Sequence, residues 1–572
     1  MSCSKGTEVI PRSVLIVAIL LLLIGGGAAA AFTVPAVSLS AEKSVGEMLP
    51  VTTVLYLSAD LNPQGAKKDY LERIEHAFSD QPSWQHVREA LKSQTKGNSP
   101  TSGCYTKTQR EATSNLDQLG HTAVFAVIDS RGIDFAKISA APSDGQTSAL
   151  TDAVKRNAVF LAPLATQLTL IQAIGGKSLQ LQQKSTDYNG TPIYQESFSD
   201  CGKVSQTALQ TVYAALYKGY VVLGLMPDPI ERIIDTGNGK IASLATDTEY
   251  KTLQSQLSGD PLGGYFLSGP AIKTTRISGA IRKVNPASAS ASRDVRSSAG
   301  AVFAESYGFR VATATLTTSN SADAQPATVL AGRLPADTLG LIAVQRLAPA
   351  LKTWEHQLAN QGNLTGSNLR VVDRLLNDIT ADMSGETDLA LLHSNGIFHL
   401  SSKGGTYLPL LLTWQVRDEA TANAHLADIF KQAKLSNQLQ SYTASDGTTY
   451  HATTNGYGYA VRGGWAITSP SIAKTLDQLA QTPSQTLASR PLYHATTPSG
   501  VVPSTTWYFD VTGLRQQAEG AYPNLTSGAS GPYRMYMQPV LAPIHTITGS
   551  GGLSGGGEIT VTTVIVGIGK PS

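Results

Sequence analysis

The sequence predicts an α+β fold: two related units of mainly antiparallel sheet with packed helices, which follow one N-terminal transmembrane helix. Three observations predict it. A long uncharged segment precedes the body, four short landmarks occur twice in the same order, and Asn-Gly and Asp-Gly turn signals accompany short apolar runs. A chain of 572 residues is also too long for one hydrophobic core, so two or three domains are expected.

The N-terminal segment carries no charge from Ser13 to Ala41. It reaches the roughly 20 residues that cross a bilayer, which predicts a transmembrane anchor at 13–34 and a cytoplasmic N-terminus at 1–12. The alternative is a cleaved signal peptide, because the solidly apolar run Val14–Ile24 is short and Ala28–Ala31 offers an A-x-A-like site. In the first case the protein is a single-pass cell-membrane protein, and in the second it is secreted. Either way, we expect the body outside the cytoplasm.

Composition excludes one class of partner. Charged residues make up 15% of the chain, below the roughly 25% that is typical of soluble domains, and the net charge is +2. Neutralising phosphates requires clustered Lys and Arg, and the sequence has no basic block. Nucleic acid is therefore not an expected partner.

The body repeats four landmarks in order. They are a Leu-Pro step into a strand (49–63 and 334–349), a Gly turn into a strand (187–194 and 445–450), a strand followed by a Pro-started helix (218–234 and 462–476), and short segments that end in an apolar strand (243–272 and 486–514). In the third landmark, Asp228-Pro229 and Ser469-Pro470 each supply an N-cap followed by proline. The retained order favours an internal duplication.

The landmarks set the predicted boundaries. The predicted domains are a first α+β unit at 48–284, a linker and hairpin at 285–332, a second α+β unit at 333–515 and a C-terminal hairpin at 516–572. We expect residues 285–300 to be flexible, a hairpin turn near Tyr307-Gly308, and a flexible loop at Gly549–Gly557.

Apolar periodicity predicts individual elements between the landmarks. Helical spacing indicates helices at Lys67–Phe78 and Asp418–Lys431. Compact apolar runs indicate buried strands at Ala123–Ile128 and Leu389–Leu392 and a further strand at Leu408–Val416.

Several of these strings carry a family resemblance. LPVTTVLYLSADLNPQG, NGTPIY, GYVVLGLMPDPIERII with SLATDTEY, and the second LPADTLGLIAV together resemble the bacterial DUF3352 family, over about residues 48–568. The resemblance implies an envelope-type protein of unknown function, commonly with an N-terminal membrane segment. Its motifs are structural in kind, so it implies no catalytic or binding residue.

The cysteines agree with an exported body. Cys3 lies on the cytoplasmic side of the predicted anchor, which leaves Cys104 and Cys201 as the only pair beyond it. Exported cysteines usually pair, so we predict a disulfide between Cys104 and Cys201, with two separate buried thiols as the alternative. Neither has a CxxC or CxxH neighbour, which argues against metal binding or thiol catalysis.

No catalytic constellation emerges from the sequence. Ser471-Ile-Ala-Lys474 is an SxxK string near a helix start, but the same string occurs at 40–43 and 93–96, so helix capping is favoured. Asp129 and Asp134 bracket a turn and are interpreted as solvated. The glycine-rich segment lacks the lysine of a phosphate loop, and the histidines show no ligand spacing. We predict no catalytic residue, no cofactor and no metal site.

Tyrosines form the remaining candidate surface. They cluster at Tyr450, Tyr457 and Tyr459 and at Tyr533 and Tyr536, where they fit either a carbohydrate or peptide surface or the edges of a sheet.

Three functions remain as hypotheses. The leading one is a non-enzymatic binding or scaffolding protein of the cell envelope, whose partner is an envelope protein, a glycan or a lipid. The first alternative is a carrier of a hydrophobic ligand in a cleft between the units, and the second is a hydrolase that uses Ser471 and Lys474.

Overall fold

A computed structural model describes most of the exported body. The described residues are 42–60, 63–89, 122–130, 156–163, 183–197, 211–269, 295–318, 327, 329–345, 347–348, 377, 380–393, 410–432, 435, 438–480, 485–496, 500–521, 531–554 and 557–569. The predicted anchor at 13–34 and the predicted disulfide between Cys104 and Cys201 lie outside these residues. Among the helices that are described, none has the length and apolar character needed to cross a membrane.

The chain divides into two compact units. The first takes its described residues from Met1–Glu75, Arg88–Ser306 and Val311–Thr318, and the second from His76–Val87, Tyr307–Arg310 and Ser319–Ser572. The finer boundaries at 285–332 and 516–572 stay predictions.

The first unit is built on one antiparallel sheet. Its strands are β1 (Leu55–Asp60), β2 (Thr122–Val127), β3 (Ala158–Pro163), β4 (Gln183–Tyr188), β5 (Thr191–Ser197), β6 (Thr211–Tyr217), β7 (Tyr220–Gly224), β8 (Gly263–Ser268), β9 (Val295–Glu305) and most of β10 (Gly308–Thr317). Their spatial order is β4–β5–β6–β7–β3–β2–β1–β8–β9, and β10 pairs with β9.

The second unit is likewise an antiparallel sheet. Its strands are β11 (Gly340–Gln345), β12 (Met383–Leu391), β13 (Leu410–Val416), β14 (Gln440–Thr443), β15 (Thr449–Ala452), β16 (Gly458–Arg462), β17 (Trp465–Ser469), β18 (Val502–Asp510), β19 (Ile544–Ser554) and β20 (Ile559–Ile568). Their order is β14–β15–β16–β17–β13–β12–β11–β18–β19–β20, which corresponds strand by strand to the order in the first unit.

Helices accompany both sheets and confirm the predicted α+β class. They are α1 (Glu42–Met48), α2 (Gly65–Ser79), α3 (Pro227–Gly237), α4 (Thr248–Ser255), α5 (Glu419–Gln432), α6 (Ile472–Ala480), α7 (Pro491–His494), α8 (Val511–Ala521) and α9 (Gln538–Leu541). Short 3₁₀ turns lie at Leu244–Thr246, Leu330–Gly332 and Leu487–Ser489, and a π-helical turn lies at Tyr533–Met537.

A Leu-Pro bridge starts the sheet of the first unit. Pro50 forms an isolated antiparallel bridge with Ser243, and the Leu244 amide donates to the Leu49 carbonyl at 2.7 Å. The carbonyl of Pro50 accepts from both the amide (2.9 Å) and the hydroxyl (2.6 Å) of Thr53. The leucine side chains on both sides of the bridge are fully buried, so the bridge is also a packing contact.

The second unit has the same bridge with different residues. Pro335 pairs with Thr486, and the Leu487 amide donates to the Leu334 carbonyl at 2.9 Å. Thr338 donates its amide (3.1 Å) and its hydroxyl (2.7 Å) to the Pro335 carbonyl. Proline has no amide to donate. In each unit the bridge nevertheless fixes the position of a proline that lies shortly before a central strand.

Three local expectations are corrected. Helix α3 begins at Pro227 with Met226 as its N-cap, so Asp228 lies in the first turn instead of capping it. Strand β9 begins at Val295, inside the segment expected to be flexible. Strand β19 runs to Ser554 through most of the glycine-rich segment, because its glycines leave room for neighbouring strands.

The bridge predicts the cost of removing its leucine. Leu334→Ala is expected to destabilise the second unit by about 2–5 kcal/mol, because a fully buried leucine leaves a cavity in the core when truncated. Val329→Ala is the matched control, since Val329 is exposed nearby, and it should change stability by no more than about 0.5 kcal/mol. Urea unfolding of the full chain measures both. Equal effects of the two substitutions would contradict a packed bridge.

Candidate functional site

Three aliphatic side chains form an exposed row across the sheet of the second unit. Ile342 on β11 lies directly opposite Leu389 on β12, and Leu389 lies directly opposite Leu412 on β13. Their exposed fractions are 37%, 40% and 40%. These three residues are called the apolar row below. Adjacent strands lie about 4.8 Å apart, so the row is about 10 Å long.

The two-residue period of strands explains why the row faces outward. The preceding or following residue on each strand points to the other face, where Leu341, Ala390 and Leu411 are fully buried in the main core of the unit. The row is therefore the outer surface of strands whose inner surface holds the core together.

Covered positions border the row on two sides. Along β13, Trp414 is buried against Ala422 and Leu426 of α5, so helix coverage ends between Trp414 and Leu412. Across the sheet, Trp507 of β18 lies opposite Ile342. Gly549 of β19 lies opposite Trp507, and any β-carbon at this glycine would overlap the indole ring.

The corresponding positions of the first unit are bulkier and more covered. Leu57 on β1 lies opposite Phe125 on β2, which lies opposite Phe160 on β3. All three are partly buried rather than exposed. The open aliphatic row is thus a feature of the second unit.

Two acidic residues lie beneath the row, on the core side of β12. Both oxygens of Glu386 accept backbone hydrogen bonds, from the amide of Val329 at 2.9 Å and from that of Leu330 at 3.0 Å. A carboxylate at the start of a helical turn satisfies amides that have no partner within the turn. The role of Glu386 is therefore to hold the 3₁₀ turn that precedes the Leu-Pro bridge.

Asp388 is a protonated acid in the core. Its side chain is fully buried, and within the described residues neither of its oxygens has a hydrogen-bond partner. Burial raises the pKa of Asp388 to about 10, and the nearby Glu386 carboxylate adds to the shift. Burial also raises the pKa of the neighbouring Tyr493 to about 12. The group is neutral near pH 7 and is closed to solvent, so it does not fit a general base.

Ser471 and Lys474, the two residues of the SxxK string, lie in different surroundings. Ser471 is buried, and its hydroxyl has no hydrogen-bond partner within the described residues, whereas Lys474 is exposed. The Ser469 hydroxyl makes the local hydrogen bonds: it accepts from the Ser471 amide at 3.0 Å, and it lies 2.8 Å from the Thr475 hydroxyl. Helix α6 begins at Ile472, so the prediction of Ser469 as its N-cap with Pro470 at the first helical position is wrong. The Ser469 hydroxyl instead orders the turn before the helix, and the arrangement does not fit a nucleophile with its base.

The interpretation of Asp129 as a solvated turn residue is wrong, because the side chain is buried and paired with an arginine. Asp129 forms an ion pair with Arg232 at 2.5 Å. Arg232 also donates to the Thr52 hydroxyl at 2.9 Å. Asp134 lies outside the described residues. His425 contacts Asp382 at 2.8 Å, and no group of three metal-ligating side chains occurs in the part of the chain that is described.

The tyrosine cluster separates into buried and exposed members. Tyr459 is buried, whereas Tyr457 is more than half exposed. Tyr450 stacks on Tyr442, with ring centroids 5.4 Å apart and planes inclined by 21°. In the second cluster Tyr533 donates to Glu519 at 2.8 Å, and burial together with that carboxylate raises its pKa to about 12.

The sequence did not reveal the apolar row. The run Leu389–Leu392 predicts a buried strand, because its residues are all apolar, and Leu408–Val416 predicts a strand with no assigned open face. Which face remains open depends on how strands distant in sequence align, and this was not deducible from either run alone.

The fold and this surface define a class: an α+β protein of antiparallel sheets that presents an aliphatic patch on a sheet face. The chain belongs to the DUF3352 family, described as a protein of unknown function, whose family model matches residues 167–552. This confirms the resemblance seen in the sequence.

Other comparisons add little. No curated protein matches the chain. Crystal form III of TP0453 is 11% identical, with 44% of this chain and 83% of that chain covered and a TM-score of 0.22. Crystal form IV of TP0453 is 9% identical, with 42% and 93% covered and the same TM-score. Such scores are too low to establish a common fold.

The raised pKa of Asp388 predicts a pH dependence of stability. The unfolded carboxyl titrates near 3.8, so between about pH 4 and pH 10 the folded state binds a proton that the unfolded state has lost. The free energy of unfolding should therefore fall as the pH rises through this window. Asp388→Asn removes this titrating group from the protein. The free energy of unfolding of the variant, minus that of the unaltered protein, should therefore increase with pH by at most about 1.4 kcal/mol per pH unit.

Urea unfolding at several pH values between 5 and 9 measures this slope. Asp428→Asn is the matched control, because Asp428 is an exposed carboxylate of the same unit, and it should leave the slope unchanged. A slope of Asp388→Asn equal to that of the unaltered protein would show that Asp388 is ionised in the fold.

Proposed function

We propose that this chain is a membrane-anchored, extracytoplasmic protein of the cell envelope that binds a partner rather than catalysing a reaction. The uncharged segment at 13–34 supports the anchor, and the positions of the charges on its two sides support an extracytoplasmic body. The separation of Ser471 from Lys474 supports a non-enzymatic role.

We also propose that the two units arose by internal duplication. The four sequence landmarks, the corresponding strand orders and the two Leu-Pro bridges support this. The ring contacts agree: Tyr250 meets Phe266 edge to face, as Tyr493 meets Tyr508. In this proposal the repeated residues form the scaffold, and function resides in surfaces that the two units do not share.

The single observation that carries the binding proposal is the apolar row. Three large aliphatic side chains lie side by side on adjacent strands, and each is more than a third exposed. Contiguous exposed apolar residues mark binding surfaces more often than isolated ones do. The corresponding row of the first unit is partly buried, so the open row is specific to the second unit.

The chemistry of the row favours a hydrophobic small ligand that binds on the sheet of the second unit. The ligand class is that of the carrier alternative, but the place differs from the cleft which that alternative names. The row itself carries no hydrogen-bonding side chain, and its exposed area is far below the roughly 800 Å² per partner that a stable protein interface buries. An aliphatic chain of a lipid matches its composition.

Substitution within the row tests this function. Leu389→Gln should weaken binding of a fluorescent fatty acid to the full chain about five- to tenfold, because about 1 kcal/mol of apolar contact is lost. Leu216→Gln, on the first unit, is the matched control with a similarly exposed leucine, and it should leave the affinity unchanged. Equal affinities of the two variants, or no saturable binding at all, would refute the proposal.

Protease treatment of intact cells tests the proposed location. The body should be degraded and only the short N-terminal segment should survive, because the cytoplasmic part is confined to 1–12. The control is lysed cells, in which that segment is also lost. A fully protected body in intact cells would contradict the proposed orientation.

A further inference from the structure

Among the residues that the structure describes, strand β14 is an edge of the second sheet. It consists of Gln440, Ser441, Tyr442 and Thr443, and all four are exposed. Within the described residues it pairs with β15 alone, so its other side has no strand partner there. Open edges offer unpaired amides and carbonyls to any further strand.

The hydrogen-bond pattern identifies which groups face outward. The Ala444 amide donates to the Thr448 carbonyl at 2.8 Å, which makes this pair a bonded one next to the turn. Bonded and non-bonded pairs alternate along an antiparallel ladder, so Tyr442 is bonded to Tyr450. The amides and carbonyls of Ser441 and Thr443 therefore point to the open side.

The edge is short, which is one natural protection, but it lacks the charge, proline and bulge that block other edges. Natural edges are blocked by charges, prolines or bulges, and the four residues of β14 include no charge and no proline. Its register with β15 is also regular. The corresponding strand of the first unit, β4, has a register shift, and its last residue, Tyr188, donates to Asp235 of helix α3 at 2.7 Å.

The strand is held in position before any partner arrives. Asp446, in the turn between β14 and β15, forms an ion pair with Arg462 of β16 and accepts from the Thr448 amide at 2.9 Å. Ser445 of the same turn donates to Asp477 of α6 at 3.2 Å. A partner strand would therefore meet a preorganised edge, which reduces the entropy lost on binding.

An aromatic surface lies beside the open groups. Two contacts fix the ring of Tyr442. The ring stacks on Tyr450, and its hydroxyl donates to the Gln440 side chain at 2.7 Å. On the open side, Tyr442 occupies a non-bonded position, where facing side chains come closest. Aromatic and β-branched residues form the most favourable cross-strand pairs there.

We propose that β14 is a docking edge for an extended peptide segment of another polypeptide, which adds as an antiparallel strand with an aromatic or β-branched residue opposite Tyr442. A second copy of this chain fits less well, because a four-residue strand buries far less than the roughly 1,200 Å² of a stable dimer. Short peptides bind sheet edges in this mode through main-chain hydrogen bonds and alternate side chains. The proposal concerns a surface other than the apolar row, and each can fail without the other.

A synthetic peptide tests the edge. The probe is a fluorescein-labelled peptide with the sequence of residues 448–453, Thr-Thr-Tyr-His-Ala-Thr, which is the native partner strand of β14 and places a tyrosine at its centre. It should bind the full chain saturably and slow hydrogen exchange in the segment 440–443. The same peptide N-methylated at the two residues that flank the tyrosine should lose binding, because it cannot donate to Ser441 and Thr443.

Variants of the protein complete the test. Ser441→Pro removes an outward amide while leaving the bonds to β15 in place, and it should weaken binding at least about tenfold. Ser441→Thr keeps the amide and should bind as the unaltered protein does. If Ser441→Pro does not fold, the comparison of the two peptides decides alone.

Three results would overturn the proposal. The first is that the peptide does not bind at millimolar concentration, and the second is that the N-methylated peptide binds equally well. The third is that hydrogen exchange of 440–443 is slow without peptide and slows further as the dimer fraction measured by ultracentrifugation rises. The last result would assign the edge to a second copy of the chain. Persistence of fatty-acid binding in any of these cases would leave the proposed function standing.

Discussion

A backbone bridge at a Leu-Pro step determines where each sheet begins. In the second unit it joins Leu334-Pro335 to Thr486-Leu487, and both leucines are fully buried. The chain then enters β11, the strand that pairs with both β12 and β18 at the centre of the sheet. A slip of one residue at this entry would exchange the two faces of β11. Leu341 would then leave the core and Ile342 would enter it, so the apolar row depends on the bridge.

Polar groups in the core support the same entry point. Glu386 binds the amides of Val329 and Leu330, and the Leu330 carbonyl accepts from the Leu334 amide at 3.1 Å. A buried carboxylate thus orients the turn that delivers Leu334 to the bridge. Asp388, two residues along the same strand face, lacks such partners and stays protonated. Burial and the nearby Glu386 side chain both raise the pKa of Asp388, so the two acids have different roles in the core.

Local signals in the sequence were sufficient for much of the scaffold. The run Leu408–Val416 corresponds to β13 at Leu410–Val416, and the periodic stretch Asp418–Lys431 corresponds to α5 at Glu419–Gln432. The Leu-Pro steps and glycine turns were recognisable because proline and glycine restrict the backbone in ways that do not depend on distant residues. Glycines within a strand were misread as a loop at Gly549, since their reason is the bulk of Trp507 on the neighbouring strand.

Local patterns in the sequence could not predict the apolar row or the edge at β14. The apolar row combines residues from three strands that are separated by long connections, and its exposure follows from register and from where α5 stops covering the sheet. The edge at β14 likewise depends on which strand has a single neighbour among the described residues, which is a property of topology. Both surfaces lie on the second unit, and their counterparts in the first unit are more covered or irregular in register.

Photolabelling tests the central claim, that the second unit presents the hydrophobic binding surface, most directly. A photoreactive fatty acid should label peptides that contain β12 and β13, in addition to the apolar N-terminal segment, and excess unlabelled fatty acid should suppress the β12 and β13 labels. Label confined to the N-terminal segment, or divided evenly between β12 and its counterpart β2, would contradict the claim.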